Sequence, residues 1–582
     1  MEKKKAKLFS AIALVALAML VVGATYAYFQ NQYGSASNAN VKVTTYTTDM
    51  LTFETGSNIS ITAGQDDFAS GKGNRTGSTF ARATLQANNK TNTATANYYM
   101  YLNIETNTFT YTNTGTPELV LQVINKTTGT PITSITGLVY KTVTDGKNTT
   151  ISGFDITNKS GLITILNNKE ISASPKTIEE YTITITFINH NYDQNINAGK
   201  SFNSKVIIQK ERLITSVSDV AKSGDNLVTA IENLSTKSKP SYTGLYHHDA
   251  SLTNGAGDNS YRFAGADPNN YVCFGSDDTT CPTENLYRII GVIDGKVKLI
   301  HAYGATTTML GTNEGYAKTY KEAWGDNLEL VQSFYKGKED FAKIGTYKWN
   351  KTGDNTWSTS TTNTINLNTN YLTYLDGKNT KWKTMIADTT WYVGGMTPAN
   401  GALSNAKTAY NYEVGANKDA TTTVTSKIGL MYVSEYYYGA TPDYWMLPGY
   451  DTNGNVNDAG TAWIGEDYSK AINDNWLYTG LFEWTISRWS DGSDGAFDVD
   501  VYGDVDDSGV GYSDGDAVRP SFSLSSSIKF TSGEGTAVNP IRIKLWLDDY
   551  ACLGRKGWHN TLQEQFWSYV SRFRRGIRKY II

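Results

Sequence analysis

Alternating apolar and threonine positions run through the first part of the chain. Residues 181–187 alternate apolar side chains with threonine, which is the period-two pattern of a half-buried strand. The same pattern recurs in four other segments, at 98–104, 118–124, 161–166 and 204–209. Threonine is β-branched and favours strands, and turn pairs such as Asp145-Gly146 separate the runs. We therefore expect residues 41–212 to form an all-β sandwich, jelly-roll-like in its connections.

The pattern changes beyond residue 212. Residues 213–240 are expected to be a linker with a short spacer helix, because Leu227, Ile231 and Leu234 recur at helical spacing. Residues 241–544 mix short strands, short helices and long loops. That mixture predicts a second, α+β domain, so the chain as a whole is expected to be multidomain.

The first 29 residues predict export. Four lysines precede an apolar run at 8–22, and the small residues Ala24 and Ala27 follow it. This order is typical of a secretory signal peptide. The alternative is an uncleaved hydrophobic helix that anchors the chain, because 8–29 spans 22 residues and about 20 can cross a bilayer. Either way, we expect the protein on the extracellular side of the cell membrane, or secreted after cleavage.

Composition narrows the possible partners. The net charge is −4, and the chain has only 5 His and 3 Cys. Near-neutral charge argues against nucleic acid as a partner, since phosphate binding needs a concentrated basic surface. The segment 545–582 differs, with seven basic and three acidic residues among several tryptophans. This basic aromatic tail is expected to be a poorly packed extension of the second domain, and the alternative is a segment that contacts a membrane or an acidic polymer.

Two cysteines are close enough in sequence to pair. Cys273 and Cys281 flank a short loop, and nearby cysteines outside the cell tend to form disulfides. Two free thiols are the alternative. Cys552 is left without a neighbour of this kind.

Polar, aromatic and glycine-rich residues concentrate at 485–516. Tyrosine and tryptophan offer stiff, amphipathic surface that suits glycan and protein ligands. We expect Trp445, Trp476 and Trp484 to be buried. The ligand-binding candidates are Trp489, Asp491, Asp494, Phe497, Asp498, Tyr502 and Tyr512.

One acidic run resembles half of a calcium site. Asp504, Asp506 and Ser508 alternate before Gly509, as in the first half of a calcium-binding loop. The second half is missing, because Gly515 stands where a bidentate Glu is needed. The alternative is a row of Asp-Gly turns. Calcium is the only cofactor that the sequence offers.

No catalytic motif is present. The sequence lacks His-Glu-x-x-His, Gly-x-Ser-x-Gly, a P-loop and a dinucleotide fingerprint. An exported hydrolase would need a carboxylate pair, for which Glu435, Glu466 and Glu483 are the scattered candidates. We therefore expect no enzyme activity and no catalytic residues.

The N-terminal order of residues carries one family resemblance. Lysines, an apolar run and then Gly23-Ala24-Thr25-Tyr26-Ala27-Tyr28-Phe29 resemble the N-termini of TasA/camelysin-type exported subunits of Gram-positive bacteria. The resemblance implies processing by a dedicated signal peptidase. It also implies self-association of the β-domain by strand addition.

A second resemblance lies in three stretches of the second region. They are Tyr444-Trp445-Met446-Leu447-Pro448, Glu483-Trp484-Thr485-Ile486-Ser487-Arg488 and Ala517-Val518-Arg519-Pro520-Ser521-Phe522-Ser523-Leu524. Together they resemble Firmicutes surface domains that end in Val-Arg-Pro and are similar to the C-type lectin-like fold. The resemblance implies a frame of hairpins that presents a variable loop face at 485–516.

The second region departs from that family in its chemistry. Thr441-Pro442-Asp443 only partly matches the calcium-binding tripeptide of sugar-binding members, and their internal disulfides cannot form here. The resemblance therefore implies the fold, without the sugar chemistry. We expect a bacterial cell-surface or secreted binding and adhesion protein, with a glycan or protein ligand. The alternative is a structural subunit of a surface fibre or biofilm matrix, assembled through the β-sandwich.

Overall fold

The chain divides into two compact units in the computed structural model. The described residues are 49–64, 73–88, 92–113, 115–237, 242–337, 340–396, 405–446 and 472–545. The units comprise Met1–Leu213 and Ile214–Ile582. The predicted N-terminal hydrophobic helix at 1–29, and the tail apart from its first residue, lie outside the described residues. Within the described ranges, no helix is long and apolar enough to cross a membrane.

The first unit is built from strands. In its described part these are β1 (Met50–Thr55), β2 (Ile59–Thr62), β3 (Arg75–Gln86), β4 (Ala94–Asn107), β5 (Leu119–Asn125), β6 (Thr130–Pro131), β7 (Tyr140–Thr144), β8 (Thr150–Asp155), β9 (Gly161–Ala173), β10 (Lys176–Phe187) and β11 (Ser201–Gln209). A seven-stranded sheet has the order β1-β3-β10-β5-β8-β7, with β6 beside β5, and a four-stranded sheet has the order β2-β11-β4-β9.

Both sheets of the first unit contribute to one core. Strand β10 buries Tyr181, Ile183 and Ile185 and leaves Thr182 and Thr184 partly exposed, as period-two patterning requires. Its inward residues join those of the four-stranded sheet, such as Leu102, in a single apolar cluster. The prediction of a β-rich first region is therefore confirmed.

The second unit mixes short strands with short helices. Its described strands are β12 (Leu245–His247), β13 (Tyr261–Phe263), β14 (Tyr271–Cys273), β15 (Leu286–Ile293), β16 (Lys296–His301), β17 (Tyr316–Thr319), β18 (Gly345–Tyr347), β19 (Thr389–Tyr392), β20 (Thr423–Ser426), β21 (Glu483–Arg488), β22 (Gly495–Val499), β23 (Val505–Gly509), β24 (Asp516–Ala517), β25 (Ser521–Ser523), β26 (Ile528–Ser532) and β27 (Arg542–Leu545). Its described α-helices are α1 (Leu227–Lys237), α2 (Thr307–Leu310), α3 (Tyr320–Ala323), α4 (Leu328–Phe334), α5 (Leu372–Lys378), α6 (Thr380–Met385), α7 (Ala406–Glu413) and α8 (Val433–Gly439). A π-helix at Thr362–Tyr371 leads into α5.

Two six-stranded sheets frame this unit. One has the order β12-β13-β15-β16-β25 with β14 on β15, and the other has the order β17-β18-β24-β21-β22-β23. Strands β15 and β16 meet at Asp294 and Gly295, which have φ values of 50° and 67°. Positive φ at both central residues is what a type I′ hairpin turn needs, and an Asp-Gly pair favours it.

Helix α1 belongs to the second unit rather than to a linker. Leu227, Ile231 and Leu234 are buried in the core of this unit, which corrects the prediction of a spacer helix at 213–240. The apolar stripe that predicted the helix also needs a surface to cover it, and the second unit provides one. The helix is tied in place by Asn226, whose side-chain amide donates to the Ser526 carbonyl at 2.7 Å.

Candidate functional site

Much of the predicted loop face is a packed sheet. Strand β22 lies between β21 and β23, and all five of its residues are buried, on both faces of the sheet. Phe497 is 0% exposed and Asp498 is 3% exposed. These two residues were predicted to bind ligand, and their burial removes them from any exposed face. The Phe-Asp pair within a glycine-rich run predicts a loop, whereas it belongs to a strand whose Phe497 packs in the core of the second unit.

The exposed candidates do not form one cluster. Tyr502 lies in the turn that joins β22 to β23, whereas Trp489, Asp491, Asp494 and Tyr512 lie beyond the opposite ends of those strands. Five residues of extended strand separate the two ends, which is roughly 16 Å. Tyr502 and Tyr512 are 44% and 46% exposed. They therefore cannot contact one small ligand together.

The predicted tryptophan burial is confirmed. Trp445, Trp476 and Trp484 are all buried, and Trp484 donates its indole N–H to the Tyr347 carbonyl at 2.7 Å. Trp489 is only half-buried.

The predicted calcium loop is a strand. Residues Val505–Gly509 form β23, in which Asp506 lies opposite Asp498 and Ser508 lies opposite Ala496. A calcium-binding loop needs a tight turn that points successive oxygens at one centre, and an extended strand paired along its length does not provide it. Among the residues that the structure describes, no group of three or more His, Cys, Asp or Glu is arranged to hold a metal ion. The structure therefore does not support Asp504, Asp506 and Ser508 as a ligand set.

Two aspartates of this sheet, Asp498 in β22 and Asp516 in β24, are buried. Asp498 Oδ1 and Asp516 Oδ2 are buried without a hydrogen-bond partner. Burial raises the pKa of both carboxyls, and a nearby aspartate raises each further: Asp516 for Asp498, and Asp514 for Asp516. Both are held closer to the neutral form than an exposed aspartate would be.

Cys273 and Cys281 form a disulfide. The bridge closes the loop between β14 and β15. Asp277, which lies in that loop, forms an ion pair with Lys381 of α6.

A cavity elsewhere in the second unit is lined by both charged and aromatic side chains, as ligand-binding sites often are. We call it the lysine cavity. Its volume is about 130 Å³, and it is lined by residues of β16, β19, α7 and α8, among others. An engineered cavity of about 150 Å³ can hold a benzene ring. The lysine cavity is slightly smaller than that, so its volume is on the scale of one ring-sized group.

Lys298 lines this cavity. Its Nζ atom is 2.6 Å from Glu435 Oε1, and the two side chains are only 6% and 4% exposed. The same Nζ atom lies 4.8 Å from the centre of the Trp391 ring and 5.0 Å from that of Tyr432, which are cation–π distances. Burial lowers the pKa of Lys298, and the Glu435 carboxylate opposes this shift.

A second ion pair, between buried Arg262 and half-buried Asp258, lines the cavity. Arg262 donates to Asp258 Oδ2 at 2.9 Å and stacks over Tyr410 at 5.6 Å. Burial disfavours the charge on Asp258, but the Arg262 charge and the hydrogen bonds from Ser260 and Arg262 together outweigh this effect and lower the pKa of Asp258 to about 2.

The charges around the cavity balance. The acidic lining residues are Asp258, Asp294 and Glu435, and the basic ones are Arg262, Lys296 and Lys298. A balanced set of donors and acceptors between aromatic rings favours an uncharged polar group over a free cation or anion. Such an arrangement can hold and orient a ligand.

The carboxylates proposed for a hydrolase are occupied in other ways. Glu435 pairs with Lys298, and Glu483 Oε1 accepts from Arg519 Nε at 2.6 Å. Glu466 lies outside the described residues.

Sequence reasoning missed Lys298, Trp391 and Tyr432. One signal was available for Lys298. It stands between Val297 and Leu299 in a strand that is buried on both faces, and a lysine at such a position is rarely buried unless it is paired. Its partners come from β19 and α8, which only the tertiary structure brings near.

No protein-family model matches this chain, and no curated protein matches it. We therefore infer its function from the residues of the second unit.

Proposed function

We propose that this chain is a bacterial cell-surface or secreted binding and adhesion protein, and that the lysine cavity holds part of a glycan or protein ligand. The observation that carries the proposal is the buried Lys298–Glu435 pair between Trp391 and Tyr432 at an accessible cavity. Buried charges are costly unless they are paired or needed, and perturbed titratable groups in a cleft often mark functional sites.

The proposed location rests on the sequence. A basic head followed by an apolar run favours export, and the Cys273–Cys281 disulfide is more usual outside the cell than in the cytosol. The N-terminal segment would hold the protein at the membrane or be removed on secretion. We propose no cofactor and no enzyme activity.

We propose a C-type lectin-like frame for the second unit and a jelly-roll-like sandwich for the first. The Val-Arg-Pro motif supports the C-type lectin-like frame of the second unit. Arg519 is 1% exposed, donates to Glu483 and the Leu477 carbonyl, and lies between strands of the two six-stranded sheets. Arg519 thus has a structural role, which is what we expect of a motif that characterises a fold rather than a binding site.

A screen of the full chain on glycan and host-protein arrays tests the proposal. We expect at least one ligand to be retained. The double variant Tyr502→Ala/Tyr512→Ala changes the exposed aromatic residues of the sequence-predicted face and leaves the lysine cavity intact. If the cavity is the site, this variant keeps the ligand. Loss of the ligand would assign binding to the 485–516 face instead.

One observation favours a fibre or matrix subunit as the second candidate. Strand β9 spans 13 residues and stands at the end of its four-stranded sheet, where it pairs with β4 alone among the described residues. A long outer strand offers unpaired backbone groups to a strand of another copy. Electron microscopy of the purified full chain tests this candidate, because filaments would support assembly and a persistent monomer would contradict it.

A further inference from the structure

Glu413 lies behind the lysine cavity without lining it. It is the last residue of α7 and is 3% exposed. Its Oε1 atom accepts from the backbone N–H of Val433 at 3.0 Å, and its Oε2 atom accepts from the backbone N–H of Ser434 at 3.0 Å. The Ser487 hydroxyl donates to Oε1 as a third partner. The carboxylate therefore accepts from three donors.

These donors matter because of where they lie. Val433 and Ser434 are the first two residues of α8, and the first N–H groups of a helix have no partner within the helix. Glu413 supplies the missing acceptors from another helix. Ser434 and the next residue, Glu435, both line the cavity.

The surroundings of Glu413 make its charge sensitive to pH. Burial raises the pKa of Glu413 to about 7, the hydrogen bonds of Ser434 and Ser487 oppose the shift, and the Glu435 carboxylate raises it further. Glu435 reaches it from α8, and Lys298 of β16 and Tyr432 also interact with its charge. Ser487 of β21 contributes an uncharged hydroxyl.

We propose that Glu413 is a positioning residue for the lysine cavity: its ionised carboxylate fixes the start of α8, and protonation releases that hold. A protonated carboxyl has one oxygen that donates rather than accepts, so the three donors can no longer all be satisfied. Ser434 and Glu435 then lose their fixed position. The relevance to ligand binding rests on the proposed function, whereas the hold on α8 does not.

Hydrogen–deuterium exchange of the full chain tests the inference without a ligand. Protection of the Val433 and Ser434 amides, corrected for intrinsic exchange, is compared between about pH 5.5 and about pH 8.5. Protonation of Glu413 removes a hydrogen bond between an amide and a charged carboxylate. We therefore expect the protection of these amides to fall roughly tenfold between the high-pH and the low-pH sample. Glu413→Gln should lower protection at high pH and remove its dependence on pH.

Ser487→Ala separates a positioning role from simple packing. It keeps the carboxylate and removes one hydrogen bond to the ionised form, so the pKa of Glu413 rises and the midpoint of the protection curve moves to higher pH. A packing role alone would lower protection equally at every pH. A flat curve in the wild type, or an unshifted midpoint in Ser487→Ala, would overturn the inference even if Glu413→Gln fails to fold. An array on which no ligand is retained would count against the proposed function and leave this result standing.

Discussion

Replacing Lys298 by methionine is the most informative single change. Methionine keeps a long apolar side chain but leaves the Glu435 carboxylate buried without its cation, where the observed pair is 2.6 Å apart. Removing one partner of a buried ion pair costs about 3–5 kcal/mol. Loss of the contacts with Trp391 and Tyr432 adds about 1 kcal/mol. We therefore expect Lys298→Met to lower the free energy of unfolding of the second unit by at least about 4 kcal/mol.

The double variant Lys298→Met/Glu435→Gln isolates the charge. It removes both members of the pair, and replacing a whole buried pair is often close to neutral. We expect it to cost less than half as much as Lys298→Met alone, and together with the single variant Glu435→Gln it should give a coupling energy of about 2 kcal/mol or more. Lys296→Met is the matched control on the same strand, and we expect it to change stability by no more than about 0.5 kcal/mol because Lys296 is only half-buried.

Urea unfolding followed by tryptophan fluorescence measures these energies. All 13 tryptophans lie beyond residue 320, so the signal reports the second unit without contribution from the first. The midpoint and slope of that transition give the free energy of unfolding. A loss below about 1 kcal/mol for Lys298→Met, or equal losses for the single and double variants, would refute the reasoning.

Three further outcomes follow from the described contacts. Because burial raises the pKa of Asp516 above that of the unfolded chain, the contribution of Asp516 to stability is greatest in acid and is lost as pH rises from about 4 to about 7. Asp516→Asn should remove this part of the pH dependence of the free energy of unfolding, measured by urea titrations at several pH values, and an unchanged pH dependence would contradict the assignment. Phe497→Ala should cost about 3–5 kcal/mol and Tyr502→Ala no more than about 0.5 kcal/mol, so similar midpoints for the two variants would mean that β22 is not packed as described. Replacing Cys273 and Cys281 together by serine should lower the free energy of unfolding by about 2–3 kcal/mol, because the unfolded chain gains entropy when the loop is no longer closed. An unchanged midpoint of thermal unfolding would show that the bridge contributes nothing.

The strands of the first unit could be predicted because their signal is local. Period-two alternation in 181–187 maps directly onto the buried and half-exposed positions of β10. Helix α1 was also visible as an apolar stripe. Its place in the second core was not, because a stripe shows that a surface must cover the helix and does not show which one.

The lysine cavity could not be predicted for a related reason. Lys298, Trp391 and Glu435 are far apart in sequence, and although Lys298 is unusual as a lysine within an apolar strand, nothing local shows which residues surround it. His248 shows the same limit. Beside His247 and Asp249 it looks like part of a solvated loop, yet it is 0% exposed and its Nδ1 atom accepts from the Ala256 N–H at 3.1 Å. Tertiary packing decides burial wherever the local pattern is polar.

Closing the lysine cavity tests the central proposal most directly. Thr390 lines the cavity, and Thr425 lies opposite it on the neighbouring strand without lining the cavity. We expect Thr390→Trp to abolish the array binding of the full chain and Thr425→Trp to retain it, with both variants folded by tryptophan fluorescence. Undiminished binding by folded Thr390→Trp would contradict the claim that this cavity holds the ligand.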